Sequence, residues 1–249
     1  MLLQLSTWQE IDAYLERSRG IVIPIGSTEQ HGPNGLIGTD ALCPETVARG
    51  MDDKIDIVIA PTLSIGMAQH HLGFSGSITL RPSTLIAVVR DVVQSLVRHG
   101  FERCYFLNGH GGNVATVNAA FSEIYADSSF NRHAGNEPGV RCRLGNWYDG
   151  RRVRALSRKL FGGSEGSHAT PSEVSLTFYA YPEAIKSTPM TPRIAPTGPI
   201  MDAADYRRRF PDGRIGSDPS LATPEAGEKL FHAAVEDAVD DYRRFVAAQ

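Results

Sequence analysis

The chain contains no apolar run approaching the roughly 20 residues of a bilayer-spanning helix, so no transmembrane segment is expected. It has three cysteines, Cys43, Cys104 and Cys142, and no two of them stand in Cys-x-x-Cys spacing. That odd, sparse set favours reduced thiols in the cytoplasm and gives no thiolate zinc spacing, so any metal would be held by His and carboxylates. An excess of basic charge is also missing. Lys and Arg number 25 against 28 Asp and Glu, a formal net charge of -3, so no electrostatic footprint for nucleic acid or an anionic membrane is present. The opening MLLQLSTWQEIDAYLE lacks a basic stretch before its apolar residues and acquires acids early, so no signal peptide is expected. Internal repeats and low-complexity segments are absent as well.

What remains is an ordinary globular composition, 41% hydrophobic over 249 residues, enough for one substantial α/β domain spanning 1–249. Short apolar runs bounded by Gly or Pro read as buried strands at 21–25, 55–60, 104–107 and 140–146. Between them lie helical signals. Thr7 and Glu10 have capping-box spacing for a helix to about Arg19. Asp40 opens a helix to about Gly50. Leu85, Val89, Val92 and Leu96 recur at helical spacing behind a Ser83 or Thr84 cap, and Asn113 is placed to cap the next helix. The stretch 149–166 reads as an exposed loop or short helix. Thr170 or Ser172 caps a helix to about Tyr181. Residues 182–222 are rich in Pro and Gly and read as irregular, and Thr223-Pro224-Glu225 starts a last helix to about Ala247. Strands alternating with helices predict a three-layer α/β/α sandwich around a mostly parallel sheet.

Three loops carry residues suited to chemistry. In open α/β sheets ligands gather at the carboxyl ends of strands. The first loop, Gly26 to Gly38, holds Glu29 and His31 two residues apart, with Asp40 just beyond it. In extended chain, side chains i and i+2 point the same way, so both can reach one point. Imidazole with carboxylate suits Zn, Mn or Fe, although an isolated pair of this kind is more often solvated loop. The second loop, Asn108-Gly109-His110-Gly111-Gly112-Asn113, sets a histidine among glycines at a strand end. A phosphate-binding loop would need a Lys and a Ser or Thr that are not there. The third segment carries His168 and, five residues on, Glu173 in a helix first turn, where an acid also complements the helix dipole.

Taken together, Glu29-x-His31-Gly32-Pro33, Gly38-Thr39-Asp40, the 108–113 loop, and His168-Ala169 with Glu173 and Ser175 resemble the creatininase family of amidohydrolases. The resemblance runs through nearly the whole chain. It implies an α/β/α sandwich, often hexameric, that hydrolyses a small, sometimes cyclic, amide C–N bond with a metal-activated water. It further implies two divalent cations per subunit, Zn or Mn with Fe also compatible. Glu29, His31, Asp40, His110 and Glu173 would be ligands, with Asp40 as the bridge, Glu29 and His110 on one metal, and His31 and Glu173 on the other. His168 would carry the proton to the leaving nitrogen. His71 and Gly111 are expected to line the substrate site, Tyr148 to provide an apolar wall, and Trp147 to belong to the core.

The chain departs from the family pattern at Asn34, Ser75, Ser77, Thr170 and Gly112, where creatininases proper carry a glutamate ligand. An intact metal site with an altered substrate pocket is therefore expected. Two other readings stay open: a mononuclear Fe or Zn formamide deformylase of the same family, and a metal-stabilised binding protein without turnover.

Overall fold

The computed structural model describes residues 1–131 and 139–248. Among these residues the sheet has four parallel strands in the order β2-β1-β3-β4, with β1 at Gly20–Ile25, β2 at Val58–Ile59, β3 at Arg103–Asn108 and β4 at Arg141–Asn146. The central strands are apolar on both faces, as a covered parallel sheet requires. Successive residues of β1 serve opposite faces: Ile21, Ile23 and Ile25 join one core and Val22 the other. In β3, Cys104 and Phe106 join the first core, and Tyr105 and Leu107 the second.

Helices cover both faces. On the first lie α1 (Trp8–Leu15), α3 (Pro82–Arg98) and α4 (Asn113–Asn131), whose Tyr14, Val89 and Val117 pack on the sheet. On the second lie α2 (Thr39–Asp52), α5 (Arg151–Phe161), α6 (Pro171–Ala180) and α8 (Pro224–Ala247), contributing Val47, Val153, Leu176 and Leu230. The expected three-layer α/β/α sandwich is therefore the one observed.

The boundaries differ from the sequence expectation for local reasons. The first helix stops at Leu15, well before Arg19, because the buried Tyr14 donates its hydroxyl to the Gly20 carbonyl at 2.8 Å and turns the chain into β1. β2 is shorter than residues 55–60, since only Val58 and Ile59 find ladder partners, at Ile21 and Val22. α3 begins at Pro82, behind an extended Arg81, in place of a Ser83 or Thr84 cap; a proline at the first helical position gives up no hydrogen bond. The Asn113 side chain ties loops together: it accepts from the Met67 N–H at 3.0 Å and donates to the Gly26 carbonyl at 2.9 Å. The stretch expected as an exposed loop or short helix at 149–166 forms α5, whose Val153, Ser157 and Phe161 recur at i, i+4 and are buried. Within the expected irregular region 182–222 lies α7 (Ala203–Arg209), capped by Asp202 and anchored by Tyr206 against Phe210 and Ile215.

The strand order has one consequence for function. From β1 the chain moves outward to β2, then returns to the other side of β1 for β3 and continues to β4. Loops after β1 and β3 diverge at that reversal and leave a crevice at the carboxyl ends.

Candidate metal centre

Glu29 and His31 sit in the loop after β1, and His110 in the loop after β3. Asp40 is in the first turn of α2 and Glu173 in the first turn of α6. All five converge on the crevice. One oxygen or nitrogen from each of Glu29, Asp40 and His110 lies within 4.8 Å of the others, as does one from each of His31, Asp40 and Glu173, and one from each of Glu29, His31 and His168, so Asp40 belongs to two of the three groups. Its two oxygens divide between them: Oδ1 is 3.1 Å from His31 Nε2, and Oδ2 is 2.9 Å from His110 Nδ1.

The rings of His31 and His110 are held from behind. His31 Nδ1 donates to its neighbour's carbonyl, Glu29 O, at 3.0 Å, and His110 Nε2 donates to Met67 O at 3.0 Å. Each ring thus turns its other nitrogen toward Asp40, the second-sphere pattern of a metal-binding histidine. Glu173 is fixed by a capping box. Thr170 Oγ1 accepts from the Glu173 N–H at 3.2 Å, and Glu173 Oε1 accepts from the Thr170 N–H at 2.5 Å. Between His168 and Thr170 the buried Ala169 adopts a positive φ of 52°, and this reversal brings His168 and Glu173 to one cluster.

A family profile described as Creatininase: Creatinine amidohydrolase matches residues 4–241. The chain belongs to the creatininase family. A creatinine amidohydrolase of Pseudomonas putida is 27% identical over 252 residues, covering 95% of this chain and 94% of that protein. A mycofactocin precursor peptide peptidase of Mycolicibacterium smegmatis is 26% identical over 236 residues, covering 90% and 85%. A solved structure named Creatininase Mn superposes with a TM-score of 0.84 at 23% identity over 99% of each chain, a likeness of fold.

The creatininase donor set in this chain fits divalent cations. Both carboxylate oxygens of Glu29 and Asp40 Oδ2 are buried without a hydrogen bond. Histidine nitrogens stand 2.9–3.3 Å from them, close but not aligned as donors. Buried carboxylates left this way are costly unless a cation neutralises them. Electrostatics agree. Burial opposes charge on His31 and His110, yet the surrounding carboxylates hold them up at about 10 and about 9. Asp40, against its own burial, is driven well below the usual carboxylate range by His31 and His110. Protons on imidazole here occupy the side that a cation would take. Gly112 is consistent with a changed ligand set: a Cβ there would lie 2.3 Å from His110 Nε2, so a glutamate at this position has no room beside that ring.

The other expected residues surround the cluster. His168 Nε2 donates to Gln30 O at 2.8 Å, leaving Nδ1 3.8 Å from Glu29 Oε1. Burial, reinforced by His31 and His71, pushes its pKa well below the usual imidazole value, so it is neutral. His71 is buried with Nε2 3.0 Å from Glu29 Oε1, and burial with the same sign of neighbouring charge lowers it to about 3. His71 and Gly111 both border a cavity of about 840 Å³. Tyr148, Val153, Ile200 and Ile215 give it apolar surface, and Arg154 and Arg158 of α5 stand on its wall. Trp147 is both core and wall, 3% exposed yet facing the cavity.

Sequence reading missed Gln30, His70 and Tyr206. Gln30 lies inside the first motif, but its neighbours took the inward direction of an extended chain, and only the fold of the loop turns it inward too. His70 packs tilted against its chain neighbour His71 at 4.2 Å, and Tyr206 meets His71 edge-on at 4.6 Å, a contact between segments that are distant in sequence.

Proposed function

We propose that this creatininase-family amidohydrolase binds two divalent cations, one through Glu29, Asp40 and His110 and one through His31, Asp40 and Glu173, and hydrolyses a small amide C–N bond. The observation that carries the reading is the Asp40 carboxylate, buried with one oxygen toward each of two histidines. Cations held there would acidify a water and polarise the scissile carbonyl.

The protein's own part is proton movement and enclosure. His168 is neutral, and its Nε2 hydrogen is committed to Gln30 O, so Nδ1 is the lone pair available on the cluster side. It takes a proton from the attacking water and returns it to the nitrogen as the C–N bond breaks, which a poor leaving group needs. The packed rings of His31, His168, His71 and Tyr206 exclude water from one side of the centre. The Tyr148 hydroxyl, kept protonated by burial, offers a donor on the other.

The cavity, at about 840 Å³, has room for more than a creatinine-sized ring, which favours a second substrate class, a short peptide amide, beside cyclic amides. The test is a screen of Mn- or Zn-reconstituted protein against cyclic amides, formamides and short peptide amides, with metals counted per chain. Turnover with two metals is expected. His168→Ala should keep both metals and lose at least about 100-fold in kcat. Loss of metal in that variant would refute the proton-carrier role, and one metal per chain with formamide turnover would select the mononuclear deformylase. Two metals with no turnover on any class would leave the binding-protein reading.

A further inference from the structure

The side chain of Gln30 is buried where the loop after β1 meets the 212–217 turn, and each of its polar atoms can be assigned. Oε1 accepts from the Gly32 N–H at 2.9 Å, while Nε2 donates to the Gly213 carbonyl at 2.9 Å. Exchanging oxygen and nitrogen would set acceptor against acceptor and donor against donor, so the amide has one orientation. The turn is shaped to it: Gly213 has φ 90°, and a Cβ there would lie 1.8 Å from Gln30 Oε1.

One N–H of Nε2 remains. It has two imidazole nitrogens at 2.9 Å, His71 Nδ1 and His168 Nε2, and the Tyr206 hydroxyl farther off at 3.4 Å. The second cannot accept. His168 Nε2 lies 2.8 Å from the Gln30 main-chain carbonyl, which only accepts, so this nitrogen carries the ring's hydrogen. Of the two acceptors left, His71 Nδ1 is nearer than the Tyr206 hydroxyl by half an ångström, so the free amide hydrogen goes to His71 Nδ1. His71 in turn must carry its hydrogen on Nε2, facing Glu29 Oε1 at 3.0 Å. Tyr206 closes the arrangement by donating to Gly213 O at 2.7 Å.

We propose that Gln30 is a positioning residue that acts twice: its main-chain carbonyl turns the His168 Nδ1 lone pair toward the cluster, and its side chain fixes His71 as the Nε2–H tautomer, whose positive N–H edge faces the Glu29 carboxylate. With the opposite tautomer, His71 would present a lone pair to a carboxylate, and Glu29 would rotate away from the point it shares with Asp40 and His110. The effect on turnover rests on the hydrolase reading; the tautomers and the metal affinity do not.

The experiment is histidine 15N NMR of the metal-loaded protein, beside the variants Gln30→Glu and Gln30→Met. In the unsubstituted protein His71 and His168 should both show hydrogen on Nε2. In Gln30→Glu the carboxylate accepts from His71 Nδ1, so that ring should gain a hydrogen there. Gln30→Met, which keeps the volume, should leave His71 without a fixed tautomer and His168 unchanged. Affinity for one of two Mn ions should fall about 10–100-fold in both variants, the usual scale for a lost outer partner of a ligand. Hydrogen on His71 Nδ1 in the unsubstituted protein overturns the proposal. So does a folded Gln30→Met with unchanged Mn affinity. If these observations hold and no amide is hydrolysed, the reaction assignment fails while the positioning role stands.

Discussion

Asp40 concentrates the electrostatics of the molecule in one side chain. It is 4% exposed, sits in the first turn of α2 where the helix dipole favours an anion, and faces His31 and His110 with separate oxygens. Asp40→Ala should therefore lose both metals, because each half-site loses an oxygen and the two histidines lose their common partner. Elemental analysis of the purified variant checks this, and retention of two metals would refute the bridge. Each candidate ligand was nameable from its motif, but not the direction of its side chain. Glu29 and His31 were legible as a pair because extended chain repeats every two residues. Gln30 between them was not, because its inward turn depends on Gly213, more than 180 residues later.

At the scale of elements, the helix starts do more than stop fraying. A Thr170 or Ser172 cap with Glu173 in the first turn of α6 was readable, but the capping box itself is a structural finding, and it fixes a candidate metal ligand by a bond to the Thr170 N–H. Thr170→Ala should cost about 1 kcal/mol in a denaturant titration. It should also weaken the half-site of His31 and Glu173 first, seen as earlier release of one metal under a chelator. A second element-scale link joins strands to α8. Asp241 accepts from Arg143 at 2.7 and 2.8 Å and from the Tyr105 hydroxyl at 3.0 Å. Burial acts to raise its pKa, but these donors outweigh burial and lower it. A carboxyl lowered by folding stabilises above its unfolded value and loses that contribution as pH falls through the folded one. Asp241→Asn should thus lose about 0.5–1 kcal/mol at pH 7, since Arg143 is half exposed and solvent-screened, and show a flatter stability profile below about pH 4. Melting temperatures from pH 3 to 7 measure it; a parallel shift at all pH values would contradict it.

On the scale of the whole molecule, the candidate metal centre is a junction of segments far apart in the chain, so a cation bound there should stabilise the entire fold. Removal of metal by a chelator should lower the melting temperature by roughly 5–10 °C, the effect of about 2.7 kcal/mol at a hundredfold excess over Kd, and added Mn or Zn should restore it. An unchanged transition after verified metal loss would show that no cation is held by these segments together. The sequence by itself determined the layers, since alternation of apolar runs and helical periods is a local record of burial, and it determined which donors were available, since Glu, His and Asp in ordered motifs advertise their chemistry. Only the tertiary structure decided where those donors meet. The reversal of strand order between β1 and β3 opens one crevice, and the turn at Gly213 assigns the hydrogens of His71 and the side chain of Gln30. Contact across long sequence separation leaves no period and no spacing in the chain, so it can be read only after the chain has folded.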